Sequence, residues 1–217
     1  MRLTGIFLYP DLGEFKSEAA FSFRNQTGFI CQYVQRYLAA RHVQGDGFNR
    51  ICVICKSVAS EATFKNTARS LSVEVPFDMA EYERTARDDL PDYFIGLLEA
   101  GLRKCSRDQH LSFEIVEEAI ASFRAGGYKN QWVHSTTLFR SAGLKCRLTC
   151  KLDLSWFYLV LEVERDGQCI FSQEILRTLP DALMYTHQFK DIELNDHVLA
   201  VKNKFGTPLF ELDLAVS

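Results

Sequence analysis

Leu144-Lys145-Cys146-Arg147-Leu148-Thr149-Cys150-Lys151-Leu152-Asp153-Leu154 alternates without a break. Leucine or cysteine holds every even position, and a charged residue or threonine every odd one. A strand turns successive side chains to opposite faces, so the pattern predicts one face in a core and the other in water. Half-buried strands of this kind belong to antiparallel sheets. The same pattern makes Cys146 and Cys150 small apolar core residues.

Working outward, strands are expected over 130–139, 156–164, 168–176, 188–194, 198–202 and 209–214. Arg165-Asp166-Gly167 and Asn195-Asp196 read as hairpin turns. Leu179-Pro180-Asp181 interrupts the series and starts a short helix through Met184. Short successive turns favour antiparallel neighbours over crossovers.

Upstream the period changes. Residues 1–10 read as a first core strand, since Pro10, Asp11 and Glu14 break the apolar run before any signal-peptide cleavage site. Phe21 to Phe23 suggests a short second strand, followed by a helix capped by Asn25 or Thr27 and running to Arg41. Ile51-Cys52-Val53-Ile54-Cys55 is wholly apolar and β-branched, as in a strand covered on both faces. Phe64, Ala68 and Leu71 suggest a modest helix, and Val73 to Phe77 a strand. Asp78 and Glu81 open a helix ending near Arg87. Asp89-Leu90-Pro91 caps the next, whose stripe is Phe94, Leu97, Leu98, Gly101, Leu102 and Cys105. Phe113, Val116, Ile120 and Phe123 mark another, closed by Gly126-Gly127.

The expected class is therefore α+β. A mixed α/β amino-terminal half with a helical middle (1–127) packs on a carboxy-terminal antiparallel β-sheet (128–217), as two sections or as one compact domain. A chain of 217 residues with 47% hydrophobic and 24% charged side chains is of ordinary globular composition. Its net charge of −3, with both signs interspersed, gives no nucleic-acid footprint and no polybasic membrane patch. No run approaches the roughly 20 apolar residues of a spanning helix. Seven cysteines, an odd number, fit reduced thiols better than a disulfide framework. A cytoplasmic protein is expected.

Motifs for chemistry are missing. Cys52 and Cys55 have CxxC spacing, but residues three apart on a strand face opposite sides, whereas zinc needs both thiolates in one turn. His42, His110, His134, His187 and His197 are scattered, and no GxSxG, GxGxxG or GxxxxGK[ST] occurs. Pro10-Asp11 with Glu14-Phe15-Lys16 mimics a metal-dependent nuclease signature, yet it lies within one turn, where such residues cannot converge from separate strands. No catalytic, cofactor-binding or metal residue is assigned. What remains is surface. Lys145, Arg147 and Lys151 form one charged strand face. Glu162 and Glu164, with Asp191 and Glu193, suggest an acidic docking surface. Trp132, His134 and Tyr185 join them as candidate partner-binding residues.

Two segments resemble bacterial immunity proteins of polymorphic or contact-dependent toxin systems. One is Gly126-Gly127-Tyr128-Lys129-Asn130-Gln131-Trp132-Val133-His134; the other runs from Phe189-Lys190-Asp191-Ile192 through Phe205-Gly206-Thr207-Pro208-Leu209-Phe210-Glu211. The resemblance implies a cytosolic inhibitor that binds one toxin domain, and transfers no functional residue. The expected function is thus a non-enzymatic protein-binding protein, an immunity protein without cofactor whose partner is a cognate toxin domain. The alternatives are a hydrolase or nuclease assembled only in space, or a small-ligand-binding or structural subunit.

Overall fold

The computed structural model describes residues 1–107 and 112–215, so His110 lies outside the described residues. The fold is α+β. Residues group into two compact units, Met1–Asn130 and a second beginning at Gln131.

In the first unit, β1 (Gly5–Pro10), β2 (Arg50–Lys56) and β4 (Ser70–Pro76) run parallel, and β3 (Phe64–Lys65) pairs antiparallel with β4, in the order β1-β2-β4-β3. Between β1 and β2 lies α1 (Glu18–Ala40); α2 (Met79–Arg84), α3 (Leu90–Arg107) and α4 (Phe113–Ala125) follow the sheet. Burial alternates along the strands. Ile6, Leu8, Ile51, Val53, Cys55, Leu71, Val73 and Val75 are buried, whereas Phe7 is exposed and Cys52 and Ile54 are half-buried. The expectation that Ile51–Cys55 is covered on both faces is therefore corrected: only one side of this sheet is fully buried. Gly101 of α3 shows how closely that side is packed. A Cβ there would lie 2.5 Å from Val53 Cγ1, so only glycine lets the helix approach β2 this far.

Two local expectations fail for identifiable reasons. Phe21 to Phe23 is helix, because Ser17 already caps α1 by accepting from the Ala20 amide. Thr27 caps nothing; it is buried in mid-helix, and its Oγ1 donates to the Leu8 carbonyl at 2.7 Å. Residues 64–71 form no helix. Asn66 Oδ1 accepts from the Ser70 amide and Arg69 takes a left-handed φ of 60°, turning the chain from β3 into β4. The α2 helix begins at its Asp78 cap as expected but stops at Arg84. A cluster of aromatic rings fills the core: Phe23 meets Phe77, Tyr82 and Phe94 edge-on at 5.0–5.1 Å.

The second unit holds two sheets. One has the order β5 (Asn130–Phe139), β6 (Leu144–Leu152), β7 (Phe157–Arg165), β8 (Gln168–Thr178); the other has β11 (Pro208–Asp213), β10 (Val198–Lys202), β9 (Asp191–Asn195). The β6–β7 and β7–β8 pairs are antiparallel, as are both pairs of the smaller sheet. Hairpins turn where expected, with Asp166 and Gly167 at φ 50° and 84°, and Asp196 at 54°. The alternation of β6 holds: Leu144, Cys146, Leu148, Cys150 and Leu152 are all buried, the first opposite Arg165 and the other four opposite Val163, Leu161, Leu159 and Phe157 of β7. Aromatic rings join the sheets. Phe157 stacks on Phe189 at 5.6 Å, and Phe171 lies 5.7 Å from Phe210. The short helix α5 (Ala182–Tyr185), capped by Asp181, sets Tyr185 flat on Phe157 at 3.7 Å. At one end of the larger sheet, β5 carries no Asp, Glu, Lys or Arg.

Candidate functional site

At the end that carries the β6–β7 turn, the second unit gathers exposed apolar side chains from three connections, β6–β7, β8–β9 and β10–β11. Phe157 pairs with Thr178, so Trp156 and Leu179 flank the same end of that ladder. Tyr185 stacks on Phe157, which brings the α5 residues Leu183 and Met184 to this end. The β10–β11 turn joins them, because the Lys204 amide donates to the His187 carbonyl just after α5. Trp156 is 41% exposed, Leu179 44%, Leu183 71%, Met184 44% and Phe205, at the tip of that turn, 81%. Single exposed apolar residues are ordinary; five carried by neighbouring connections make this end the candidate site.

Local hydrogen bonds hold these loops. Asp153 Oδ1 accepts from the Ser155 and Trp156 amides, Asp181 Oδ1 from the Leu183 amide, and Asn203 Oδ1 from the Phe205 and Thr207 amides. Next to the apolar end, Tyr158 pairs across the sheet with Lys151 on one side and Arg177 on the other. Both cations sit over its ring, at 4.9 Å and 5.2 Å. Burial and the neighbouring Asp153 carboxylate push the Tyr158 hydroxyl above its ordinary pKa.

The sequence-predicted residues divide. Trp132, His134 and Tyr185 converge on the ring stack beneath this end: Trp132 lies 6.2 Å from Phe157, and His134 meets Phe189 edge-on at 4.8 Å. Tyr185 is 2% exposed, so it is a buried support and not a contact residue. Burial holds the His134 imidazole below its ordinary pKa, against the opposing influence of the Lys190 backbone and Asp191. Glu162 and Glu164 lie elsewhere, on the outer face of β7, where β6 offers them Arg147 at 3.5 Å and Lys145 at 2.8 Å. Lys145 and Arg147 of the expected basic face and Glu162 and Glu164 of the expected acidic one thus share a surface and pair with each other. Asp191 and Glu193 are on β9, paired with Lys190 at 2.9 Å and with Lys202. Sequence reasoning missed Leu179, Leu183, Met184 and Phe205. Their signal was the large apolar residue placed inside a turn sequence, as in Asn203-Lys204-Phe205-Gly206.

The first unit has a groove of about 520 Å³ where its parallel strands end. Ser57 follows β2, and Pro76, Phe77 and Asp78 end or follow β4; Glu81 of α2 and Asp92, Tyr93, Gly96 and Leu97 of α3 complete the lining. Open α/β sheets bind ligands at the carboxyl ends of their strands. Asp92 is held below the ordinary carboxylate range, first by the Tyr128 hydroxyl at 2.7 Å and then by Arg124 at 3.0 Å. Burial raises the Tyr93 hydroxyl, with the Glu81 carboxylate adding to it.

Nearby, Lys56 Nζ stands 3.4 Å from both Asp11 and Glu74. Asp11 and Glu14 share one turn, as the sequence suggested, the Glu14 amide donating to the Asp11 carbonyl. Glu14 instead accepts from the Ser57 amide. Among the described residues, no group of three or more His, Cys, Asp or Glu side chains is placed to hold a metal ion. Cys52 and Cys55 differ as strand alternation requires, Cys55 buried and Cys52 only partly so.

The chain matches no protein-family model, no curated protein and no solved structure.

Proposed function

We propose that this chain is a non-enzymatic protein-binding protein whose contact surface is the loop end of the second unit. The observation that carries the reading is the convergence of Trp156, Leu179, Leu183, Met184 and Phe205 on one end, over a ring stack that holds the backbone beneath them. Hot spots of protein interfaces favour an exposed tryptophan among apolar neighbours. In its most specific form the reading is a toxin-neutralising immunity protein, which the resemblance of the carboxy-terminal segments supports. A one-to-one complex of standard size would bury about 1,600 Å² in total, so these five side chains would form its centre and the polar loops its rim.

Co-expression with the product of the adjacent gene tests this. A stable complex is expected, together with protection of cells from that product. Both should be lost in Trp156→Ala/Leu183→Ser, while the fold, read by circular dichroism, is retained. Recovery of only the free chain, or a complex indifferent to the double substitution, overturns the reading.

The groove of the first unit favours a second reading, a small-ligand site. Its lining carries Asp78, Glu81 and Asp92 and no lysine or arginine, beside the Phe77 and Tyr93 rings, and its volume falls within the range of small-molecule sites. Saturable chemical-shift changes at Gly96 and Tyr93 on adding benzamidine would support it; unchanged spectra at millimolar benzamidine would remove it.

A further inference from the structure

Among the described residues six strands end a sheet, and five of them are guarded. β9 and β11 carry aspartate and glutamate, and β8 has Glu174, Arg177 and two register shifts against β7. β3 is two residues long, and β1 ends at Pro10. Charge, bulges, proline and shortness are the usual protections of a sheet border. β5 has ten residues with neither charge nor proline, and it pairs with a strand on one flank only. Val133 and Leu138 on it are each more than half exposed. Amides and carbonyls along such a border are complemented by another extended strand.

Symmetry identifies that strand. Two identical strands paired antiparallel about a two-fold axis continue one sheet, so the faces of both copies coincide. Side chains alternate between faces, so opposite residues must both be odd or both be even. Full overlap, residue 130 against residue 139, breaks this rule, and it is the register that would set Lys129 against Arg140. The two nearest allowed registers centre on residue 134 or residue 135. Centred on His134, Leu138 faces Asn130, whose buried side chain is already bound to the Phe29 carbonyl and to Arg36. Centred on Ser135, Leu138 of each copy faces Trp132 of the other, and Val133 faces Thr137, pairs that stabilise a sheet. Lys129 then faces Ser141, and Arg140 faces Asn130, so neither cation meets its like. We infer that β5 pairs with β5 of a second copy, antiparallel about Ser135, joining two four-stranded sheets into one of eight. The inference goes beyond the loop-end reading and does not depend on it.

Sedimentation equilibrium of the full chain, carrying Cys169→Ser to remove the exposed thiol, should show a concentration-dependent dimer. Val133→Lys/Leu138→Lys, at two exposed positions, should weaken it roughly tenfold or more with the circular dichroism spectrum retained. Under copper-phenanthroline oxidation, Ser135→Cys should give a disulfide-linked dimer. Thr137→Cys, displaced about 13 Å along the strand from its counterpart in this register, should not. A monomer at every concentration overturns the inference. So does a dimer indifferent to Val133→Lys/Leu138→Lys, or one lost instead in Trp156→Ala/Leu183→Ser. Linkage through Thr137→Cys and not through Ser135→Cys overturns the register. A monomer whose β5 amides gain protection from hydrogen exchange on adding the adjacent gene's product assigns the border to another protein, and overturns self-pairing as well.

Discussion

Arg147 of β6 and Glu162 of β7 stand directly opposite each other across an antiparallel ladder, Nη1 to Oε2 3.5 Å apart, and Lys145 and Glu164 repeat the pairing two residues along at 2.8 Å. The two sets of charges lie about fifteen residues apart in the chain and read as two surfaces in the sequence. The hairpin folds these four residues into two matched pairs. A double-mutant cycle of Arg147→Ala and Glu162→Ala should give a coupling of about 0.5 kcal/mol, within the range for cross-strand ion pairs. Urea unfolding measures it, and the coupling should fall as salt is raised.

The Gly101–Val53 contact leaves no room for a methyl group. Gly101→Ala should destabilise the first unit by about 1–3 kcal/mol, despite alanine's better helix propensity, because α3 must move off β2. Gly96→Ala, on the same helix with open space at its Cβ, should stabilise instead, by up to about 1 kcal/mol. Chemical denaturation of the two variants side by side reads the difference in sign.

Tyr185 and Trp156 are both large aromatics at the loop end, but they differ in burial. Tyr185→Ala removes the ring stacked on Phe157 and should cost about 3 kcal/mol. Trp156→Ala should stay within about 0.5 kcal/mol, as for most surface positions. Thermal melts that rank the two the other way would reverse the assignment of support and contact.

His134 supplies a pH dependence. Burial holds its imidazole below the ordinary value of 6.5, so the unfolded chain takes up its proton first as pH falls. The stability owed to the neutral ring is complete above pH 6.5 and is lost as pH drops through the folded-state value. His134→Gln should flatten this part of the stability profile. Proton NMR of the ring should titrate below 6.5; titration above that value would contradict the sign.

The thiols should fall into classes. Cys169 is exposed, whereas Cys31, Cys55, Cys105, Cys146 and Cys150 are buried, and burial pushes Cys146 to about 11 and Cys31 to about 12. A disulfide reagent at pH 8 should modify Cys169 rapidly, the half-buried Cys52 more slowly, and the others only on unfolding. Counting released thiolate in native and denatured protein checks this.

Much of the second unit was legible because its signals are local. The β6 alternation, the Arg165-Asp166-Gly167 turn and the short helix begun by Leu179-Pro180-Asp181 each depend on a few neighbouring residues, and each appears as read. Failures came where a local reading lost to a longer one. Phe21 to Phe23 looks extended alone, but Ser17 had already started a helix of 23 residues. Phe64 and Leu71 share helical spacing, yet β4 recruits Leu71 into a parallel sheet, and Arg69 supplies a backbone turn that side-chain pattern does not reveal. The candidate surface was only half legible. Trp132, His134 and Tyr185 lie under it, but its exposed members come from three separate connections, brought together by the pairing of Phe157 with Thr178, its stack with Tyr185 and the bond from the Lys204 amide to the His187 carbonyl.

At the far side of that sheet, β5 offers a row of amides and carbonyls that, among the described residues, pairs with a strand on one flank only. Proteins commonly guard such borders with lysine, proline or a bulge, and this strand of ten residues holds no charge and no proline. Lys129 just before it and Arg140 just after are the nearest deterrents to a stray chain aligning along it. Pairing of a second chain along this border is therefore opposed by those two side chains, at the ends of the strand and not along it.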